Sequence, residues 1–217
     1  MTNKSLLITL TFLINTMSME AQVTDKDSNN YNTKQIGSQV WIAANLNVSH
    51  FRNGDTIPEV RGDDEWEKAG NEGRAAWCYY NNDPAMGAIY GKLYNWYAVN
   101  DSRGLAPAGW HVPSKLEWVA LTDHLGYDKA GGSMKTTTLW NSPNTGATNS
   151  CGFAGLPGGC RIDVGRFLNN GDVGYWWTSS ESSSQSAWYR SLDTNMDELD
   201  KNGSNNGRGY SVRCVRD

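Results

Sequence analysis

The sequence predicts an α+β fold. One stretch, Gly109 to Trp118, reads without ambiguity as a strand end running into a capped helix. Helical segments come first, and the second half holds only short apolar runs divided by Gly, Asn, Ser and Thr, the order expected of an α+β chain. Ten Trp and ten Tyr against four Phe, with 23 Gly in 217 residues, describe short strands, many turns and large amphipathic aromatics rather than long helices.

The capped helix rests on Ser114 and Glu117, whose Ser-x-x-Glu spacing is that of a capping box: each side chain accepts a backbone N–H that the first turn leaves orphaned. Pro113 disfavours helix in Val112 and fixes the start. Leu116, Trp118, Ala120, Leu121 and Leu125 recur at three- and four-residue steps, and Gly126 supplies a left-handed stop, so the helix runs from about Ser114 to Leu125.

In chain order, the first segment differs in kind from the rest. Lys4, the apolar run Leu6 to Met17 and Ala21 ahead of Gln22 have the pattern of a signal peptide over residues 1–21, with 22–217 as one domain. A buried N-terminal helix is the alternative. No Cys precedes Cys78, so processing at a lipid-modified cysteine is not expected. The expectation is an exported protein (periplasmic, cell-surface-associated or secreted) with no membrane span in the mature chain.

Tyr31 to Gln35 and Gln39 to Asn45 read as paired strands around a Gly37-Ser38 turn. Asp25-x-Asp27-x-Asn29 opens like a calcium loop, but Asn30 stands where Gly is needed and Ile36 where the closing Glu belongs, so it reads as a solvated turn. Asp63 to Gly70 predicts a short surface helix, Ala75 to Tyr80 a strand, and Gly91 to Val99 a helix whose aromatics would also suit a strand. Later strands are expected at Phe153–Leu156, Tyr175–Ser179, Ala187–Leu192 and Gly209–Val215, with Asp193 to Arg208 a long polar surface loop. Asn-Gly pairs at 53, 170, 202 and 206 mark turns.

Four cysteines in an oxidising compartment favour disulfides over a metal site. Cys151 and Cys160 flank a turn-rich segment that can bring them together, leaving Cys78 with Cys214. On the chain-entropy model the short loop contributes about 3 kcal/mol and the long one about 5. Three pairings exist, and buried free thiols are the alternative.

Net charge is −4 with no basic block, which argues against nucleic acid as a partner. The only histidines are His50, His111 and His124, and no His-Glu-x-x-His, Gly-x-Ser-x-Gly or Ser-x-x-Lys pattern occurs. His111 reads as a hydrogen-bonded structural imidazole, and no carboxylate pair is set across a cleft. The chain is expected not to be an enzyme and to need no cofactor or metal. In Tyr175-Trp176-Trp177 successive side chains point to opposite faces, so one Trp is core and the other is covered by a loop or open to solvent.

Trp110-His-Val-Pro-Ser-x-x-Glu-Trp118, Ile36-Gly-x-Gln-x-Trp41, Tyr90-Gly-Lys-Leu-Tyr-Asn-Trp-Tyr97, Gly152-Phe-x-x-Leu-Pro-Gly-Gly159, Tyr175-Trp-Trp-Thr-Ser-Ser180 and Gly209-Tyr-Ser-Val-Arg-Cys-Val-Arg-Asp217 together resemble the Fibrobacter succinogenes major paralogous domain, found in exported proteins of the Bacteroidetes and Fibrobacteres. That family looks related to C-type lectin-like folds and to formylglycine-generating enzymes. The resemblance implies two helices packed beside twisted antiparallel sheets, loop-rich, with the N- and C-terminal strands close together. Cys78 and Cys214 fall within the family pattern, while Cys151 and Cys160 look like additions, which agrees with the pairing above.

The enzyme relatives use cysteines near the chain end, but Cys214 stands alone. The calcium-dependent lectin tripeptides are absent, and Trp140-Asn141-Ser142 only approaches one of them. The resemblance therefore implies a binding or adhesion module of the cell envelope, recognising a glycan or protein on the loop side near the final strands; the alternatives are a structural envelope protein without a dedicated ligand and, last, an enzyme related to the formylglycine-generating oxidoreductases. The residues it points to are Trp140, Trp188 and Arg190, with Asn205 and Arg208 from the loop.

Overall fold

In the computed structural model, which describes residues 22–217, the capping box forms as its spacing requires. Ser114 Oγ accepts the Glu117 N–H at 3.3 Å, and Glu117 Oε2 accepts the Ser114 N–H at 2.7 Å. The expected leader, residues 1–21, lies outside the described residues.

The chain runs β1 (Gln22–Thr24), β2 (Asn30–Ile36), β3 (Gln39–Ile42), α1 (Asp63–Asn71), β4 (Trp77–Cys78), α2 (Pro84–Tyr90), β5 (Leu93–Tyr94), α3 (Trp96–Val99) and β6 (Trp110–His111). It continues through α4 (Lys115–Leu125), α5 (Ala130–Met134), β7 (Gly158–Arg161), β8 (Phe167–Asn170), β9 (Val173–Ser183), β10 (Ser186–Asp193), β11 (Asp200–Asn205) and β12 (Val215–Arg216). One five-stranded sheet has the order β1-β2-β3-β12-β6, a second β11-β10-β9-β7-β8, and β4 pairs with β5. All pairings are antiparallel except β7 with β9.

The final stretch knits these sheets together. Tyr210 bridges to Tyr94, Ser211 to Trp176, and Val215 to both Trp41 and His111. The α+β expectation holds, and the first and last strands share a sheet, as expected.

β9 divides the interior. Trp176 and Trp177 are both fully buried but in different clusters, Trp177 with Tyr94 and Tyr210, and Trp176 with Trp41, Trp118 and Phe153. The alternation of side chains across a strand sends them to opposite faces, and α4 covers the second face with Trp118 and Leu121. Leu116 is 75% exposed and Ala120 is exposed, so neither belongs to the helix's apolar stripe. Trp118, Leu121, Thr122 and Leu125 form that stripe at steps of three, four and seven; positions two residues from Trp118 fall on the far side.

Other expectations need correction. The Gly91–Val99 segment splits into β5 and the short α3, whose Asn95 cap accepts the Ala98 N–H, and a helix not foreseen, α2, precedes it. Phe153–Leu156 is not a strand; Phe153 inserts into the core instead. The Asp193–Arg208 segment is not a loop throughout, because β11 pairs with β10 and takes Asn202 and Gly203 into mid-strand opposite Tyr189 and Trp188.

All four cysteines are free thiols, so neither the Cys151–Cys160 nor the Cys78–Cys214 bridge forms. Packing separates the members of each pair. Cys78 lies with Trp66 and Leu93, whereas Cys214 lies with Tyr94 and Val212; Cys160 joins the latter cluster, whereas Cys151 packs beside that of Phe153. Burial pushes the thiol pKa up to about 12 for Cys78 and about 11 for Cys160.

Candidate functional site

The turn between β1 and β2 is organised by one buried carboxylate. Asp25 accepts the Asp27 N–H (2.9 Å), the Asn29 N–H (3.0 Å), the Asn29 side-chain amide (2.8 Å) and the Tyr31 hydroxyl (2.6 Å). It is therefore not the solvated turn expected from sequence, since a carboxylate with this many donors is held inside. Tyr31 Oη in turn accepts the Asn47 N–H at 3.0 Å, tying the turn to the chain beyond β3.

This arrangement builds one wall of a groove. The opposite wall is α2 and the 152–156 segment. Asp83 caps α2 on the Ala85 N–H at 2.9 Å, with Pro84 in the first turn. At its far end Gly91 takes φ +73° and lies so close to the chain that a Cβ there would sit 2.7 Å from Leu46 O. Ala154 is held in the left-handed region, its N–H donated to Asn149 Oδ1.

Between the walls lie two adjoining concavities of about 320 and 420 Å³ that share Asn30, Tyr31, Ala43, Ala44 and Ala154. Five asparagines line them: Asn29, Asn30, Asn32, Asn45 and Asn47. Asn45 is a core hub: its Oδ1 accepts from Trp176 Nε1 (2.8 Å) and Arg213 Nε (2.7 Å). Asn30 Oδ1 accepts the Thr24 hydroxyl at 2.6 Å and Asn32 Oδ1 the Gln22 side-chain amide at 3.4 Å, and no acceptor is found for their own side-chain N–H groups among the described residues. Asn47 Oδ1 is buried without a hydrogen-bond partner among the described residues. Lys34 is the one charged side chain of the lining, its stem packed on Gly152.

The residues expected to bind are not gathered into one concavity. Trp140 is only 9% exposed, and its Nε1 donates to Gly155 O and Thr136 Oγ1, both at 3.1 Å, which makes it part of the core cluster of Trp176. Trp188 is half-buried, with the Lys115 ammonium 3.9 Å from its ring centroid. Arg190 lies on the same face but is buried, donating to Lys115 O and Tyr189 O; burial lowers its pKa to about 10. Asn205 ends the exposed edge strand β11, its Oδ1 accepting the Gly207 N–H, and Arg208 reaches Asp163 at 3.4 Å. The amide groove was missed, although the density of asparagine between 29 and 47 was the signal available in the sequence.

His111 is hydrogen-bonded, as expected, with more carboxylate around it than the sequence revealed. Its Nε2 lies 2.7 Å from Glu117 Oε1 and its Nδ1 2.6 Å from Asp217 Oδ1. Burial works against the charged ring, but the bonds to Asp217 and Glu117 outweigh it and raise the pKa above its ordinary 6.5. Burial likewise raises the Glu117 pKa, while bonds from Ser114 and His111 prevail and lower it.

A raised folded-state pKa gives stability that is complete below the unfolded value and is lost as pH rises through the folded one; the lowered Glu117 gives stability lost in acid. His111→Gln is therefore expected to lower Tm at mildly acidic pH and to converge with the parent protein at alkaline pH. Because the groups are part-exposed, the effect is at most about 1 kcal/mol. Melts from pH 5 to 9 check it; a constant difference across that range contradicts the clamp.

Among the described residues, no cluster of three His, Cys, Asp or Glu is placed to hold a metal ion, and no helix is long and apolar enough to cross a membrane. A family model described as the Fibrobacter succinogenes major domain matches residues 35–216, most of the chain. Neither curated proteins nor solved structures give a match.

Proposed function

We propose that the chain, which belongs to the Fibrobacter succinogenes major domain family, is an exported, non-catalytic binding module of the cell envelope with a lectin-like fold, and that the asparagine-lined groove holds a neutral glycan. The groove itself supports this. A carboxamide offers both donors and acceptors without charge, matching the hydroxyls of a sugar, and Ala43, Ala44 and Ala154 leave room for a ring to lie close to the backbone. A protein ligand would call for the large aromatic and Arg anchors that dominate protein interfaces, and the groove's aromatic, Tyr31, is buried with its hydroxyl committed to Asp25, leaving Ile89 and Lys34 exposed.

Binding is favoured over catalysis because the chemically able groups are committed to the fold. His50 is bonded to Asp27, His111 to two carboxylates, and Lys92 and Lys135 to backbone carbonyls, while the cysteine thiols are raised in pKa by burial. Export rests on the Lys4, Leu6–Met17 and Ala21 pattern. A second reading puts the ligand on Trp188, whose ring is half-exposed beside Lys115.

A glycan array probed with the protein separates the two. Ala44→Trp, at an exposed floor position, is expected to weaken any hit by about tenfold or more, roughly 1.4 kcal/mol, without lowering Tm, while Trp188→Ala leaves it intact. The reverse result moves the site to Trp188. An array without a hit removes the glycan reading.

A further inference from the structure

A second concavity shares no lining residue with the amide groove and lies on the other side of the Asp25 turn. Its volume is about 200 Å³, and Val48, Leu105, Ala106 and Pro107 give it an apolar floor that is continuous with the core. Three nitrogen-bearing side chains stand around that floor: Lys26, His50 and Arg52.

Their hydrogen bonds show which of them remain available. Arg52 donates from Nε to Ala106 O (3.0 Å) and from Nη2 to Trp110 O (2.9 Å), which fixes the guanidinium and leaves Nη1 without an acceptor among the described residues. Lys26 makes no ion pair among the described residues; its Cε and Nζ rest over Gly54, at φ +99°, at the edge of the concavity, from which the exposed side chain can swing over the floor. His50 turns Nδ1 to Asp27 Oδ1 (2.5 Å), leaving Nε2 without a hydrogen-bond partner among the described residues.

Asp25 lines the cleft as well, but its carboxylate and that of neighbouring Asp27 are already occupied. Both Asp25 oxygens accept from the turn and from Tyr31, and Asp27 takes His50 and the Ser49 N–H. Cationic donors are open where acidic acceptors are occupied, and an apolar floor lies below them. An anion with a small apolar body fits both features, since a carboxylate gains charge-assisted hydrogen bonds from fixed Arg and mobile Lys while its hydrocarbon part leaves water. The size agrees, because a cavity of about 150 Å³ already admits a benzene ring.

We infer that this cleft is a binding site for a small monocarboxylate carrying an apolar or aryl group, separate from the glycan groove. Arg52 and Lys26 hold the carboxylate, and the floor of Val48, Leu105 and Ala106 receives the body.

Phenylacetate, 2-phenylethanol and 2-phenylethylammonium differ in charge at nearly constant shape, and titrating each into the full chain by amide NMR tests the inference. Phenylacetate is expected to give saturable shifts confined to residues 24–27, 48–54 and 104–108, with the alcohol and the ammonium at least about tenfold weaker. Lys26→Ala and Ala108→Trp, both at exposed positions, are expected to weaken phenylacetate binding without changing Tm, the first by removing charge and the second by filling the cleft. Equal binding of the three probes, shifts elsewhere in the chain, or unchanged binding in both variants would overturn the assignment.

Discussion

Arg213→Met is expected to destabilise the protein by about 3–5 kcal/mol, because it empties the centre of a fully buried polar network. The guanidinium donates to Asn45 Oδ1 (2.7 Å), Ile42 O (3.1 Å), Phe153 O (2.6 Å) and Ala154 O (2.8 Å), and its plane lies 4.4 Å from the Phe153 ring centroid. No carboxylate shares this network. Burial lowers the pKa to about 9, which still leaves the group charged at neutral pH, stabilised by carbonyl dipoles alone. Methionine restores volume but no donor, so three backbone carbonyls are left without their side-chain partner in the interior, each costing about 1–3 kcal/mol before relaxation.

The same carbonyls belong to the segments that form the amide groove, so this variant is also expected to loosen its Ala154 wall. Urea unfolding at constant m reads the loss, with Arg208→Met as the control. Arg208 reaches Asp163 across a part-exposed surface and the Tyr210 hydroxyl, which also has Ser204 as a partner, so about 1 kcal/mol or less is expected. Equal costs at the two positions would show that the buried network does not hold the fold.

How far the sequence discloses such features depends on whether their causes are local. The α4 start was readable because Pro113, Ser114 and Glu117 settle it within five residues. The Asp83 cap and Pro84 of α2 are equally local, but the helix is two turns long and carries Gly87, packed so tightly that a Cβ would meet the Tyr79 ring at 2.2 Å. Its apolar periodicity is therefore too short to register. β11 was hidden for a different reason: as an edge strand it presents Asp200, Lys201 and Asn202 to solvent, so its composition is that of a loop and only pairing with β10 makes it a strand.

The amide groove combines both cases. Its asparagines cluster between 29 and 47, within reach of sequence reading, but the walls that make it concave come from 87–91 and 152–156, and only the tertiary fold brings these together. The burial of Trp140 was not legible because an aromatic beside polar residues looks the same in sequence whether its N–H faces water or Gly155 O.

Trp176→Ala and Trp177→Ala are each expected to cost about 3–5 kcal/mol, and the equality is the informative part. A strand with one wet face would make one substitution expensive and its neighbour cheap, since adjacent side chains alternate across the sheet. Here Trp177 packs on Tyr210 at a centroid distance of 4.4 Å and donates from Nε1 to Tyr94 O at 2.9 Å. Trp176 meets Phe153 edge-on at 5.7 Å and donates to Asn45 Oδ1 at 2.8 Å. Each ring therefore combines a large buried area with one satisfied polar atom, in a different core.

The phenylalanine variants divide those contributions. Trp176→Phe keeps an aromatic body and leaves Asn45 Oδ1 with Arg213 as its donor, so it is expected to recover much of the loss; Trp177→Phe removes one donor from Tyr94 O, which still accepts the Tyr210 N–H. Thermal and urea unfolding of the four variants tests the two-core arrangement. If either alanine variant costs under about 1 kcal/mol, its face of β9 is open to solvent and one of the two cores is not a core at all.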